Sequence, residues 1–173
     1  CTDCGKTRVR TVTPQDVRVP VVQLSGSVSR AEAGAELLDI AYDDGVYAFS
    51  CKARISIQGA SSSGMPKKNW TLRLQDEQGG KVKVKPVDGW GWHSKFCLKA
   101  NYVDFSQARN VVSGRLYGET AASRGKSDDL SRAPNYGAVD GFPVAVFVNG
   151  SFHGQGHGAL SLTGNLALRK VNG

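Results

Sequence analysis

A chain of 173 residues is long enough to bury one core and too short for two ordinary domains of roughly 100–150 residues each. No apolar run approaches the ~20 residues of a membrane span, and the start Cys1-Thr2-Asp3-Cys4-Gly5-Lys6 has neither the charged nor the apolar region of a signal or transit peptide. The formal charge of +7 attracts anionic partners such as phosphates, nucleic acid or acidic glycans, and its spread along the chain decides among them.

Residues 1–18 are polar and basic, contain Pro14 and keep no sustained period, which predicts a linker or arm. Val19 to Leu24 is rich in β-branched residues and predicts a strand, with Pro20 near its start, where a missing N–H is tolerated. Arg30 to Leu38 is rich in Ala and Glu and predicts a short helix or turn, followed by a turn at Asp43-Asp44-Gly45. From Ala53 the alternation is clean: Ala53, Ile55 and Ile57 face one way, Arg54, Ser56 and Gln58 the other, as a strand demands.

Beyond the loop Gly59 to Lys68, Trp70 to Leu74 predicts the next strand, and Gly79-Gly80 a turn. Lys81, Lys83 and Lys85 alternate with Val82 and Val84, which predicts a half-buried strand with a solvated basic face. No aromatic residue interleaves with these lysines as a base-stacking platform requires, which argues against a nucleic-acid partner. Phe96 and Leu98 mark another short strand. Phe105, Ala108, Val112 and Leu116 stand at helical spacing, with Asp104 and Gln107 placed as a capping box, and predict a packed helix from Ser106 to Glu119.

Ser123 to Asn135 reads as an exposed loop, and Phe142 to Val148 as a buried strand closed by Asn149-Gly150, a strong hairpin signal. Leu160, Leu162, Leu166 and Leu168 around Thr163-Gly164-Asn165 are enough for a strand or strand pair. No internal repeat occurs. Strands mixed with one helix predict an α+β fold: a mixed, mostly antiparallel sheet with at least one packed helix.

Cys1-x-x-Cys4 supplies half of a zinc-ribbon spacing without the other half, and Cys51 and Cys97, alone on apolar stretches, are expected to be buried thiols. His93, His153 and His157 are too scattered to form a metal site by spacing; Gly154, Gly156 and Gly158 disfavour the helix that would align the last two. No metal site is predicted. Trp70, Trp90 and Trp92 are read as core residues first and as a carbohydrate-binding set second.

Two constellations carry candidate chemistry. Gly59, Ser61, Ser62, Lys67 and Lys68 lie in one loop, where freed backbone N–H groups, hydroxyls and two ammonium groups make a phosphate cradle. From the residues alone the loop reads first as a hairpin whose serines bond their own backbone and whose lysines are solvated, and second as that cradle. It lacks the P-loop spacing. In the second constellation Asp104 is placed to accept backbone N–H groups at a helix start, and Arg109 to pair with a carboxylate, with Asn101 and Asn110 beside them. Scaffold roles explain all four, and the alternative makes Asp104 a metal ligand or base.

Four segments in order are Ile57-Gln58-Gly59-Ala60-Ser61-Ser62 with Pro66-Lys67-Lys68; Trp92 to Asp104, containing Leu98-Lys99-Ala100-Asn101-Tyr102-Val103-Asp104; Ala108-Arg109-Asn110; and Gly141-Phe142-Pro143-Val144 through Asn149-Gly150-Ser151-Phe152-His153-Gly154. Together they give Ala53 to Gly154 a resemblance to the CotH kinase-like family, of spore coat protein H type, in its phage tail and baseplate variety. The resemblance implies the N-terminal part of an atypical protein-kinase-like fold over residues 19–154. Spore-coat members phosphorylate coat proteins using ATP and a divalent metal such as Mg²⁺. It also implies phosphate contacts from Gly59, Ser61, Ser62, Lys67 and Lys68, and family-motif roles for Asn101, Asp104, Arg109, Asn110, Asn149, Gly150 and Gly154.

After Gly154 the family continues to acidic residues that bind metal and catalyse, whereas residues 155–173 contain no Asp or Glu and form a divergent tail. Phosphoryl transfer needs a carboxylate-bound metal and a group to orient the acceptor. The expectation is therefore a non-catalytic structural or binding component of a phage tail, or of a spore or cell-surface layer, with other proteins as partners and no membrane. The alternative is an atypical Ser/Thr protein kinase, or a fragment of one, with Lys67 or Lys68 on nucleotide phosphates.

Overall fold

The computed structural model describes residues 19–28, 36–88, 90–106, 108–124, 131, 134–153 and 160–164. Its strands are β1 (Val21–Ser25), β2 (Glu36–Asp43), β3 (Ala48–Gln58), β4 (Asn69–Gln75), β5 (Lys95–Lys99), β6 (Asp140–Val148), β7 (Ser151–Phe152) and β8 (Leu160–Gly164), with one helix, α1 (Arg109–Ser123), between β5 and β6. They form a single mixed sheet in the order β1-β2-β3-β4-β5-β8-β6-β7. The sheet curls until β1 meets β6 in parallel, Val22 opposite Val146; every other pairing is antiparallel. The α+β class holds.

Period-two alternation decides what the curl encloses. Val22 and Leu24 of β1, Leu38, Ile40 and Tyr42 of β2, and Ala53 and Ile55 of β3 face inward. Trp70, Leu72 and Leu74 of β4, Phe96 and Leu98 of β5, and Val144 and Val146 of β6 meet them. Trp90 joins this core with its indole N–H donated to Asp140 Oδ2 at 3.0 Å, so the ring's polar edge is satisfied. Trp70 is buried as well, and Trp92 is exposed. Cys97 is a buried free thiol and Cys51 a half-buried one; Cys1 and Cys4 lie outside the described residues.

Hairpin chemistry fixes the registers. Asp43-Asp44-Gly45 turns β2 into β3, with Asp44 Oδ1 accepting the N–H groups of Val46 and Tyr47. Asn149 and Gly150 have φ of 49° and 79°, the left-handed pair that a two-residue hairpin requires. Asn149 does more: its side chain accepts from Gly26 N–H at 2.8 Å and donates to Gly26 O at 3.0 Å. That clasp ties the β6–β7 turn to the end of β1.

Several expectations need correction. Glu36 to Leu38 is strand, not helix or turn, because Leu38, Ile40 and Tyr42 continue an inward row that outweighs local Ala/Glu content. Lys81 to Lys85 forms no strand: only the bridges Gln75–Lys81 and Val84–His93 are made, although Val84 is buried as the alternation requires. The helix starts at Arg109, not Ser106, and runs to Ser123. Its expected apolar row is not packed. Phe105, Val112 and Leu116 are 91%, 58% and 61% exposed, and α1 buries Val111 and Gly118 instead.

Glycine explains that choice of face. A Cβ on Gly114 would lie 2.3 Å from the carbonyl oxygen of Val139, so α1 approaches the chain entering β6 more closely than any side chain permits. No helix among the described residues is long and apolar enough to cross a membrane.

Two substitutions test this packing. Leu72→Ala should cost about 2–5 kcal/mol in urea unfolding, while Leu116→Ala should change stability by no more than about 0.5 kcal/mol. Gly114→Ala would gain about 1 kcal/mol in a free helix; against the Val139 carbonyl it should lower the unfolding midpoint instead.

Candidate functional site

β3 leaves the sheet at Gln58, and Gly59, at φ 103°, makes the turn that L side chains resist. The loop then folds into a 3₁₀ turn at Ser61–Gly64. Lys68 Nζ donates to Ser63 O at 2.6 Å, and Asn69 Nδ2 donates to Ser62 Oγ at 3.1 Å, so the loop is pinned to the first residue of β4. Asn69 Oδ1 in turn accepts Ala100 N–H at 2.8 Å, linking β4 to the chain leaving β5. On the outer side of the same strands Lys99 Nζ donates to Gln58 Oε1.

The segment after β5 supplies the opposite wall. Asn101 sits at φ 47°, and its Oδ1 accepts Asn110 Nδ2 at 2.6 Å. Asp104 organises the helix start: its carboxylate accepts from Ser106 N–H and Oγ, from Arg109 N–H at 2.9 Å, and pairs with Arg109 Nε at 3.4 Å. Those donors, the Ser106 hydroxyl foremost, hold the Asp104 carboxyl below the usual carboxylate range. Gln107, the expected second half of the cap, lies outside the described residues.

Between these walls lies a cavity of about 450 Å³ lined by Ser62, Lys67, Asn69, Lys99, Asn101 and Asn110, with Met65, Tyr102, Val103 and Val139 as its apolar parts. No carboxylate lines it. Burial pulls the Lys67 ammonium below its usual value, and among the described residues no ion pair offsets that burial. Nearby, the His153 ring packs on Trp70 with centroids 4.8 Å apart. Burial first, and the Lys67 charge second, push the His153 imidazole below its ordinary value.

The two sequence constellations therefore meet in part. Ser62 and Lys67 join Asn101 and Asn110 at one cavity. Gly59 shapes the loop, Ser61 is exposed, and Lys68 is spent on Ser63; none of the three lines the cavity. Asp104 and Arg109 hold the start of α1 behind the wall, and Asn149 and Gly150 belong to the clasp on β1. Gly154 and His157 lie outside the described residues. Among the described residues no group of three or more His, Cys, Asp or Glu is placed to hold a metal ion. Lys99 and Asn69 are the polar lining residues not singled out from sequence. Their signal is register: Trp70 pairs with Leu98, which brings Asn69 and Lys99, the next residues out, to neighbouring strand ends where both line the cavity. The chain matches no protein-family model and no curated protein.

A pH series tests the His153 environment. With a folded pKa below the ordinary 6.5, His153 binds fewer protons folded than unfolded. Its contribution is then complete above 6.5 and is lost as pH falls through the lowered folded value. The urea midpoint should drop between about pH 7 and pH 5, and His153→Gln should flatten that drop. A slope unchanged by the substitution would refute the assignment. Asp104 acts in a separate window below its own ordinary 3.8.

Proposed function

We propose that this chain is a CotH-like, non-catalytic structural or binding module of a phage tail or baseplate, or of a spore or cell-surface assembly, whose cavity holds a phosphate group. The observation that carries the phosphate reading is the cavity's charge: Lys67 and Lys99 enter it with the Ser62 hydroxyl, and no carboxylate neutralises them there. A half-buried ammonium is costly without an anion. Lys67 Nζ has its donors available to a bound oxygen, and Lys99 keeps two after donating to Gln58.

The same cavity argues against catalysis. Phosphoryl transfer needs a carboxylate to hold the metal and a base or orienting group for the acceptor, and neither lines the site. Asp104, the nearest acid of the motif, is occupied by Ser106 and Arg109. The exposed Val112, Leu116 and Tyr117 of α1 suit contact with other proteins of such an assembly. The kinase-like lineage of the sheet belongs to this reading. Its rival is an atypical ATP- and metal-dependent Ser/Thr kinase or a fragment of one, favoured by the meeting of the Ser62–Lys67 loop with Asn101 and Asn110.

Thermal-shift titration separates the two. Inorganic phosphate should stabilise the protein without Mg²⁺, by about 2.7 kcal/mol at a hundredfold excess over Kd, and Lys67→Ala should remove the effect. ATP should give no Mg²⁺-dependent increment and no ADP. Mg²⁺-dependent ATP stabilisation with ADP release would establish the kinase instead, and no shift with either ligand would sink the phosphate site.

A further inference from the structure

The helix α1 carries two rows of residues at alternating intervals of three and four, the spacing that keeps a row on one helix face. The inner row is Val111, Gly114, Gly118 and Ala121; Val111 and Gly118 are buried, and Gly114 lies against the Val139 carbonyl. The second row is Arg109, Val112, Leu116, Glu119 and Ser123, and all five are exposed. At roughly 100° per residue the two rows stand on nearly opposite sides of the helix. The elements on which α1 packs, β6 and the turn Pro134–Gly137, leave the second row uncovered.

The order of that row indicates what covers it. Turned end for end, Arg109-Val112-Leu116-Glu119 becomes Glu119-Leu116-Val112-Arg109. A second copy of α1 running antiparallel therefore sets Val112 against Leu116 twice at the centre and Arg109 against Glu119 once at each end. This is the reciprocity a two-fold axis demands, residue i meeting j and j meeting i. A parallel pair would set Arg109 on Arg109 and Glu119 on Glu119, with the helix dipoles aligned against each other. Arg109 gives its Nε to Asp104, yet its side chain stays 80% exposed, and a guanidinium has further donors. Among the described residues no ion pair engages Glu119. Phe105 ahead of the row and Tyr117 beside it add exposed apolar surface.

We infer that α1 is a self-association surface, whose second row packs antiparallel on the same row of a second copy of this chain in a two-fold dimer. A 15-residue helix offers about four turns, a small contact beside the ~1,200–2,000 Å² of a standard interface. The dimer is therefore weak and forms as concentration rises. The inference names the partner of the α1 face given above to protein contact and rests on that part of the reading; it does not depend on phosphate in the cavity.

Sedimentation equilibrium of the whole chain tests it. The average mass should rise from one chain towards two through the micromolar range. Leu116→Lys alone and Val112→Glu alone should each weaken dimerisation by about 100-fold or more, because each change enters the interface twice. An equimolar mixture of the two variants should dimerise again, since one contact then joins the introduced lysine to the introduced glutamate and the other keeps the original valine and leucine. Both variants should keep the urea midpoint of the unaltered chain, measured where that chain is monomeric, and its stabilisation by phosphate. One-chain mass at every concentration, dimers surviving in Leu116→Lys, no recovery in the mixture, or a lowered urea midpoint in either variant would each overturn the inference. Loss of the phosphate effect in the unaltered chain would strike the cavity reading and leave the dimer standing.

Discussion

The parallel pairing of β1 with β6 makes an interior out of what would otherwise be an open, twisted sheet. Every strand from β1 to β5 carries apolar residues on one face, and an open sheet would leave that face in water. Joining Val21–Leu24 to Ala145–Val148 encloses the face and pairs the side of β1 that β2 leaves open, so β1 presents no free edge. The junction is secured at both ends: Ala145 N–H donates to Pro20 O, Asn149 N–H to Leu24 O, each at 2.8 Å, and the Asn149 side chain clasps Gly26. Pro20 is tolerated there because only its carbonyl is required.

The cavity depends on that closure through register. Once the inward residues are fixed, the outward ones are fixed too, since a shift of one residue would turn every side chain to the other face. Gln58, Asn69 and Lys99 therefore come together at the ends of their strands without any local signal in the loops between them. The Ser62–Asn69 and Asn69–Ala100 bonds then hold the loop, and the Asn101–Asn110 bond joins the wall to α1. Asp104 fixes the direction in which α1 departs.

Where local chemistry decides an element, the sequence is readable: Asn149-Gly150, Asp43-Asp44-Gly45 and the alternation through Ala53, Ile55 and Ile57 each name their structure. Where partners decide, it is not. Lys81 to Lys85 has the alternation of a strand but only bridges to Gln75 and His93, because pairing depends on what lies alongside. The start of β2 was hidden by Ala and Glu, residues that say little once Leu38 and Ile40 face a core. On α1 the apolar spacing of Val112 and Leu116 is genuine, yet the face that packs is the one with Gly114 and Gly118, where the absence of a side chain is the contact. Periodicity counts side chains and is blind to that. Of the candidate site, the loop and motif residues were legible as two separate groups; their meeting, and the part of Lys99 and Asn69, required the sheet.

Charge distinguishes the two positive regions. At the cavity, Lys67 is half-buried and held below its usual pKa by burial, so its cost is one of desolvation and a bound anion must itself be stripped of water. On exposed strand positions Arg73 and Lys95 stand directly opposed, and their cost is mutual repulsion. An anion in the cavity should therefore respond to shape and hydrogen bonding, with weak dependence on salt, because buried charges are poorly screened. An anion on the outer face should respond to charge density and release readily as salt rises. Salt dependence is thus the property that separates the two regions within one protein. It does so because the loop after β3 and the segment at Asn101 wall in Lys67 and Lys99, whereas Arg73 and Lys95 stand on exposed strand positions.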